Sequence, residues 1–149
     1  MQHRFSATID APPGRVYPLV ADLARYPEFL AIVSRVEPAD DAVTDEVDAW
    51  WVTLRARIGP FARSKRLRMV RTAAEPDRLV RFERAETDGR EHSPWLLEAE
   101  IGAGDDGTSV VTMSLHYGGR LWSGPIEAVL QAEVPEAADR LARLATTTV

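Results

Sequence analysis

Apolar and polar residues alternate at the start of this chain, recur at helical spacing for a short stretch, then alternate again for most of its length. From His3 to Asp10, Phe5, Ala7 and Ile9 lie on one side, and His3, Arg4, Ser6 and Thr8 form a mostly polar set. Period two predicts a strand. Ala11-Pro12-Pro13-Gly14 breaks it. Val16, Leu19, Val20 and Leu23 then recur every three or four residues, and Asp22 to Leu30 predicts a second short helix bent at Tyr26-Pro27.

From about residue 33 the period returns to two. Trp50, Val52, Leu54, Ala56 and Ile58 share a face, opposite Trp51, Thr53, Arg55 and Arg57, and Gly59-Pro60 marks a turn. Leu67 and Met69 oppose Arg66 and Arg68; Val80 and Phe82 oppose Arg81 and Glu83. Asp88-Gly89 is the next turn. Trp95, Leu97, Ala99 and Ile101 alternate with Leu96, Glu98 and Glu100. Gly102 to Gly107, with Asp106-Gly107, predicts a hairpin loop. Val111, Met113, Leu115 and Tyr117 then share a face against Thr112, Ser114 and His116.

The last element is helical. Ser123 suits an N-cap, and Ile126, Leu130, Val134, Ala137, Leu141 and Leu144 form one stripe. Pro135, inside that stripe, predicts a kink or a break. A strand, two short helices, five to six more strands and a long final helix define an α+β fold, with the helix covering the apolar face of an antiparallel sheet. The helix is rich in alanine (Ala128, Ala132, Ala137, Ala138, Ala142), which fills a curved sheet poorly. Either a cavity lies between helix and sheet, or Trp50, Phe82, Trp95, Met113 and Tyr117 fill the space. A volume on the order of 300 Å³ separates a ligand cavity from a filled one.

Composition narrows the chemistry. The chain has 149 residues, enough for one domain spanning 1–149, and no cysteine. That excludes disulfides, thiolate metal sites and a cysteine nucleophile. His3, His92 and His116 are scattered, and no metal spacing is present. There is no phosphate-binding glycine loop and no Gly-x-Ser-x-Gly elbow. The absence of a signal-like start or an apolar run long enough to span a bilayer predicts a soluble, cytoplasmic protein. The net charge is −5, which argues against nucleic acid as a partner. It averages two opposed stretches. Residues 36–54 hold six acidic residues and no basic one, and residues 55–90 hold eleven basic against five acidic. The basic stretch reads as a solvated sheet face, or as a face for a membrane surface or an acidic partner.

The order of elements, with Ala24-Arg25-Tyr26-Pro27-Glu28-Phe29-Leu30, resembles the START-like helix-grip (SRPBCC) superfamily. It is most similar there to the polyketide cyclase/dehydrase and coenzyme Q-binding-like subgroup. Ile58-Gly59-Pro60-Phe61 before a basic strand, and Gly118-Gly119 to Gly124-Pro125 before the last helix, are similar too. The resemblance covers nearly the whole chain. It implies a helix-grip fold, a curved antiparallel sheet of about six to seven strands around the long C-terminal helix. It also implies that Tyr26, Pro27, Phe29 and Leu30 close one end of a cavity. The subgroup continues with Pro, Trp and Cys where this chain has Ala31, Ile32 and Val33, which counts against quinone and leaves a hydrophobic ligand.

The function expected is therefore binding of a hydrophobic small molecule (lipid, quinone or polyketide-like), as carrier, sensor or accessory protein, without a cofactor or metal. The ligand-binding residues expected are Tyr26, Phe29 and Leu30; Trp50, Val52, Leu54, Phe82, Trp95 and Leu97; Met113, Leu115 and Tyr117; and Ile126, Leu130 and Val134. The alternative is a polyketide aromatase/cyclase or dehydratase acting on a bound poly-ketone. Cyclase relatives use an arginine and a tyrosine or histidine inside the cavity, which makes Arg55, Arg81, His116 and Tyr117 the catalytic candidates. The alternation puts Tyr117 inside and His116 outside. Arg55 or Arg81 enters only through a one-residue slip or a bulge. A third reading is an accessory domain whose cavity is filled.

Overall fold

The alternating stretches form seven strands, and the helical stripe forms one long helix laid across them. The computed structural model describes residues 2–39, 48–58, 60–118 and 123–146, and the side chains of these apart from residues 58, 61 and 123–127. In chain order the elements are β1 (Gln2–Ile9), α1 (Pro13–Val20), a 3₁₀ turn (Leu23–Glu28), β2 (Val33–Pro38), β3 (Ala49–Ile58), β4 (Phe61–Glu75), β5 (Leu79–Arg84), β6 (Trp95–Ala103), β7 (Ser109–Tyr117) and α2 (Ser123–Thr146). The strands make one sheet in the order β1-β7-β6-β5-β4-β3-β2. Every neighbouring pair is antiparallel. The fold is the expected α+β helix grip, with seven strands.

Register carries the alternation across the sheet. Phe82 pairs with Leu97, Leu97 with Leu115, and Met113 with Phe5, so one apolar row crosses four strands. Paired residues share a face, and that face is concave. α2 packs on it against β1, reaching β3, with α1 at its side. Asp106 (φ 54°) and Gly107 (φ 77°) close the β6–β7 hairpin. Positive φ at both central residues is what a type I′ turn requires, and Asp-Gly supplies it at least cost.

Two expectations change. The second short helix is a 3₁₀ turn, entered through Asp22, whose carboxylate accepts the Ala24 N–H. Pro27 suits this tighter coil, where a longer helix would lose bonds. Pro135 does not split α2, which runs unbroken from Ser123 to Thr146. Pro135 and Gln131 are exposed, so the Gln131 carbonyl that the proline leaves unpaired faces water. The N-cap expected at Ser123, the turn glycine Gly59 and the side chain of Ile126 lie outside the described residues.

Tyr26 ties the helical segment down. Its ring is wholly buried, 4.8 Å from Phe29 and edge-on to Phe82 at 6.1 Å. Its hydroxyl donates to the Val20 carbonyl, 2.9 Å away at the end of α1. Burial raises the phenol well above its usual pKa. Tyr26→Phe keeps the ring packing and strands that carbonyl. We expect a loss of about 1–2 kcal/mol in stability, read from urea unfolding.

Candidate functional site

Seven strands curved under a helix of small residues leave space at the centre. A cavity of about 150 Å³ lies between the concave face and α2. Its floor comes from alternate residues of five strands: Phe5 and Ala7, Val52 and Leu54, Leu67 and Met69, Trp95 and Leu97, Met113 and Leu115. Its roof is Leu130, Val134, Ala137, Ala138 and Leu141 of α2. Leu23, Tyr26, Phe29, Leu30, Ile32 and Val33 close one end. Among the described residues no charged side chain lines it.

Of the residues expected to touch a ligand, Tyr26, Phe29, Leu30, Val52, Leu54, Trp95, Leu97, Met113, Leu115, Leu130 and Val134 are in this wall. Trp50, Phe82 and Tyr117 are not. Trp50 and Phe82 are buried against each other, ring centroids 5.7 Å apart and edge-on, in the core beside the cavity. Tyr117 lies beyond its end, stacked on Trp95 at 5.0 Å. The volume is about half the lower bound of roughly 300 Å³ for drug-sized ligands. Part of the expected space is thus filled, by Trp50 and Phe82 in particular.

The catalytic candidates separate. His116 and Arg55 are exposed, and Arg81 sits on the outer face with Nη2 2.6 Å from Glu98. Neither arginine strand bulges inward. The irregularities fall in β2, between Val33 and Arg35, and in β4, between Arg71 and Ala73. Tyr117 does face inward, 1% exposed, and its hydroxyl lies 3.1 Å from His3 Nε2. His3 is buried too. The expectation that set His3 among the polar residues of its strand is corrected: its parity is that of Phe5, so the pleat turns it inward.

Parity also sends two overlooked arginines to the concave face over the core. Arg71 pairs with Phe82, and Arg84 with Met69. Both are held. Arg71 donates to the Ala21 carbonyl at the end of α1 (2.7 Å) and pairs with Asp48, with its cation 5.6 Å from the Trp50 ring centroid. Arg84 pairs with Glu86, both side chains under a tenth exposed, and donates to the Ser93 carbonyl. On the outer face Arg68 is buried as well and donates to Ala85 O at 2.7 Å, which removes it from the basic surface.

The β5–β6 loop gathers Glu86, Asp88 and His92 within 4.8 Å of one another, a grouping that sequence spacing did not show. Arg84 Nη2 lies 3.2 Å from His92 Nδ1. A guanidinium only donates, so Nδ1 accepts and the imidazole proton sits on Nε2. Nε2–H then donates to Glu86 (2.8 Å) and Asp88 (2.9 Å). The nitrogen lone pair a metal needs is already used, and the cluster is a closed ion-pair network. Lys65 lies nearby, its pKa lowered by burial and then by the Arg84 charge.

Two polar groups remain at the cavity's margin. Trp95 is 4% exposed, and among the described residues its indole N–H has no hydrogen-bond partner. Glu133 of α2 accepts the Ile32 N–H at 3.3 Å, tying the roof to the closed end. Burial raises the pKa of its carboxyl, opposed by that hydrogen bond and by Arg140.

A curved antiparallel sheet gripping one long helix over an apolar cavity defines a START-like helix-grip protein. The chain belongs to the polyketide cyclase/dehydrase and lipid transport family, whose model matches residues 2–146. No curated protein matches its sequence. Solved structures share the fold. A protein from Thermus thermophilus is 18% identical, with 97% of each chain covered and a TM-score of 0.70. The Zhui aromatase/cyclase from Streptomyces is 16% identical, with 97% of this chain and 90% of that one covered and a TM-score of 0.58. The di-domain ARO/CYC BexL of the BE-7585A biosynthetic pathway is 16% identical over 99% of this chain and 51% of its own, with a TM-score of 0.63.

The margin yields two expectations. Trp95→Phe keeps an aromatic ring on Tyr117 and removes the orphaned donor. It should be neutral or stabilising by about 1 kcal/mol in urea unfolding, whereas loss of an ordinary buried tryptophan costs about 3–5 kcal/mol on truncation to alanine. Glu133 has its pKa raised on folding, so its penalty is absent below the unfolded value near 4.3 and grows as pH rises through the folded value. Glu133→Gln should therefore melt above the wild type at neutral pH, and the gap should close by about pH 4.

Proposed function

We propose that the protein binds a small apolar molecule, or the apolar portion of a larger one, in the cavity under α2, as a carrier or sensor. The observation that carries this is the wall: carbon from five strands and a helix, with no charged side chain among the described residues. Such a wall rewards removal of hydrocarbon from water and offers nothing to a carbonyl. A poly-ketone would bring several acceptors against a described wall whose hydroxyls, on Ser6 and Tyr26, are engaged with Thr112 and the Val20 carbonyl, each acceptor left unpaired at a cost of about 1–3 kcal/mol. The volume, about 150 Å³, suits a single ring or a short acyl segment. The family's description, which joins polyketide chemistry with lipid transport, fits either kind of hydrocarbon cargo.

One observation favours the aromatase/cyclase reading. Tyr117 and His3 form a buried hydrogen-bonded pair behind Trp95, at the cavity's end. Neither is part of the wall. Catalysis would require a substrate that displaces Trp95 to reach them.

Thermal melts with benzene, naphthalene and a short alkane series test the binding reading. We expect Tm to rise with ligand concentration. Ala138→Leu, which pushes more carbon into the roof, should fold and lose that response. Absence of a shift with every member of the series, and of any apolar adduct in native mass spectrometry, would overturn it.

A further inference from the structure

The β3–β4 hairpin outruns the sheet. β2 stops pairing with β3 at Leu54, and β5 begins pairing with β4 at Met69. From Ala56 to Ile58 and from Phe61 to Arg66 the two strands pair with each other alone. The result is a two-stranded finger.

Its exposed arginines are of one sign and lie on both faces. Arg55, Arg57 and Arg63 are exposed and form no ion pair among the described residues. Arg25, Arg35, Arg78 and Arg81 each hold a carboxylate, whereas Arg4, Arg90 and Arg143, scattered over the rest of the surface, hold none among the described residues. Arg57 pairs across the finger with Ala62 and Arg63 with Ala56, on successive rungs, so the two cations stand on opposite faces. The turn between them reads Ile58-Gly59-Pro60-Phe61, without a charge. In a chain of net charge −5 this is a local positive pole.

We propose that this finger docks tip first into the headgroup layer of an anionic lipid surface. A flat acidic protein would meet cations on one face of a hairpin. A headgroup layer surrounds a tip and meets them on both. Guanidinium groups on both faces of the finger match phosphates that surround it at the headgroup level. The net negative charge turns every other orientation away. The same strands hold Leu54 and Leu67 in the cavity wall, so docking brings the cavity toward a store of hydrocarbon; in this respect alone the proposal rests on the apolar-binding reading. The plainer role for such charges is to blunt exposed strand edges against aggregation, which predicts no lipid preference.

Co-sedimentation of the full chain with phosphatidylcholine vesicles, with and without phosphatidylserine, tests this at low and physiological ionic strength. Binding should require phosphatidylserine and weaken with salt. Arg57→Gln and Arg63→Gln should each weaken it about fivefold. Arg66, stacked on Trp51 at 4.3 Å, stands about 20 Å up the strand from the turn, beyond a screening length of about 8 Å. Arg66→Gln should change binding less than about twofold. Three results would overturn the proposal: no preference for anionic vesicles by the wild type, an equal loss for Arg66→Gln and Arg57→Gln, or retention by polyglutamate as strong as by vesicles. The benzene melt on Arg57→Gln/Arg63→Gln keeps the two readings apart. Ligand response without vesicle preference removes only the docking surface, and vesicle binding without ligand response removes only the cavity reading.

Discussion

The pleat of one sheet decides what each side chain of this protein meets. Successive residues point to opposite faces, and antiparallel pairing carries that choice from strand to strand. Phe5, Met113, Leu97 and Phe82 therefore share a face across four strands, and a one-residue slip would exchange them for serine, threonine and glutamate. The cavity, the buried His3–Tyr117 pair and the charged outer surface are all consequences of that register.

The space itself comes from a mismatch. A curved sheet needs a bulky cover, and α2 presents Ala137, Ala138, Ala142 and Ala145 toward it alongside Leu130, Val134 and Leu141. Close packing is the rule in protein interiors, so an apolar void is retained at a cost in dispersion contacts. Aromatic residues limit its size: Trp50, Phe82 and Tyr26 lock together beside it. Glu133 holds α2 to the Ile32 backbone over the closed end.

Much of this was legible in the residues. Alternation located the strands, the Tyr26-Pro27-x-Phe29-Leu30 segment located the closed end, and most of the wall followed from parity. The errors have physical sources. His3 is a polar residue with an apolar residue's parity, and sorting by polarity hid it. Arg71 and Arg84 share that character, and their partners lie far off in sequence (Ala21) or in an irregular loop (Glu86, His92). Arg68 lies on the outer face as expected, yet the Ala85 carbonyl of the next strand draws it out of water. Volume was the least legible quantity, because the ring packing of Trp50 against Phe82 depends on three-dimensional geometry that period two does not contain.

The separation of charge from cavity bears on chemistry. Of the arginines with the parity of the concave face, Arg63 stands in solvent on the hairpin beyond the sheet, and the two over the core are bound by fixed acceptors, Arg71 by a helix terminus and Asp48, Arg84 by Glu86 and the Ser93 carbonyl. A buried cation with its acceptors in place is costly to recruit, since moving Arg84 toward a substrate would leave the buried Glu86 with His92 alone. Polarising a carbonyl requires a donor aimed at the developing charge. Among the described residues Arg71 and Arg84 are committed to structure, and the cavity wall is almost wholly apolar. The same sequestration that stabilises the fold is what the proposed apolar-binding reading rests on.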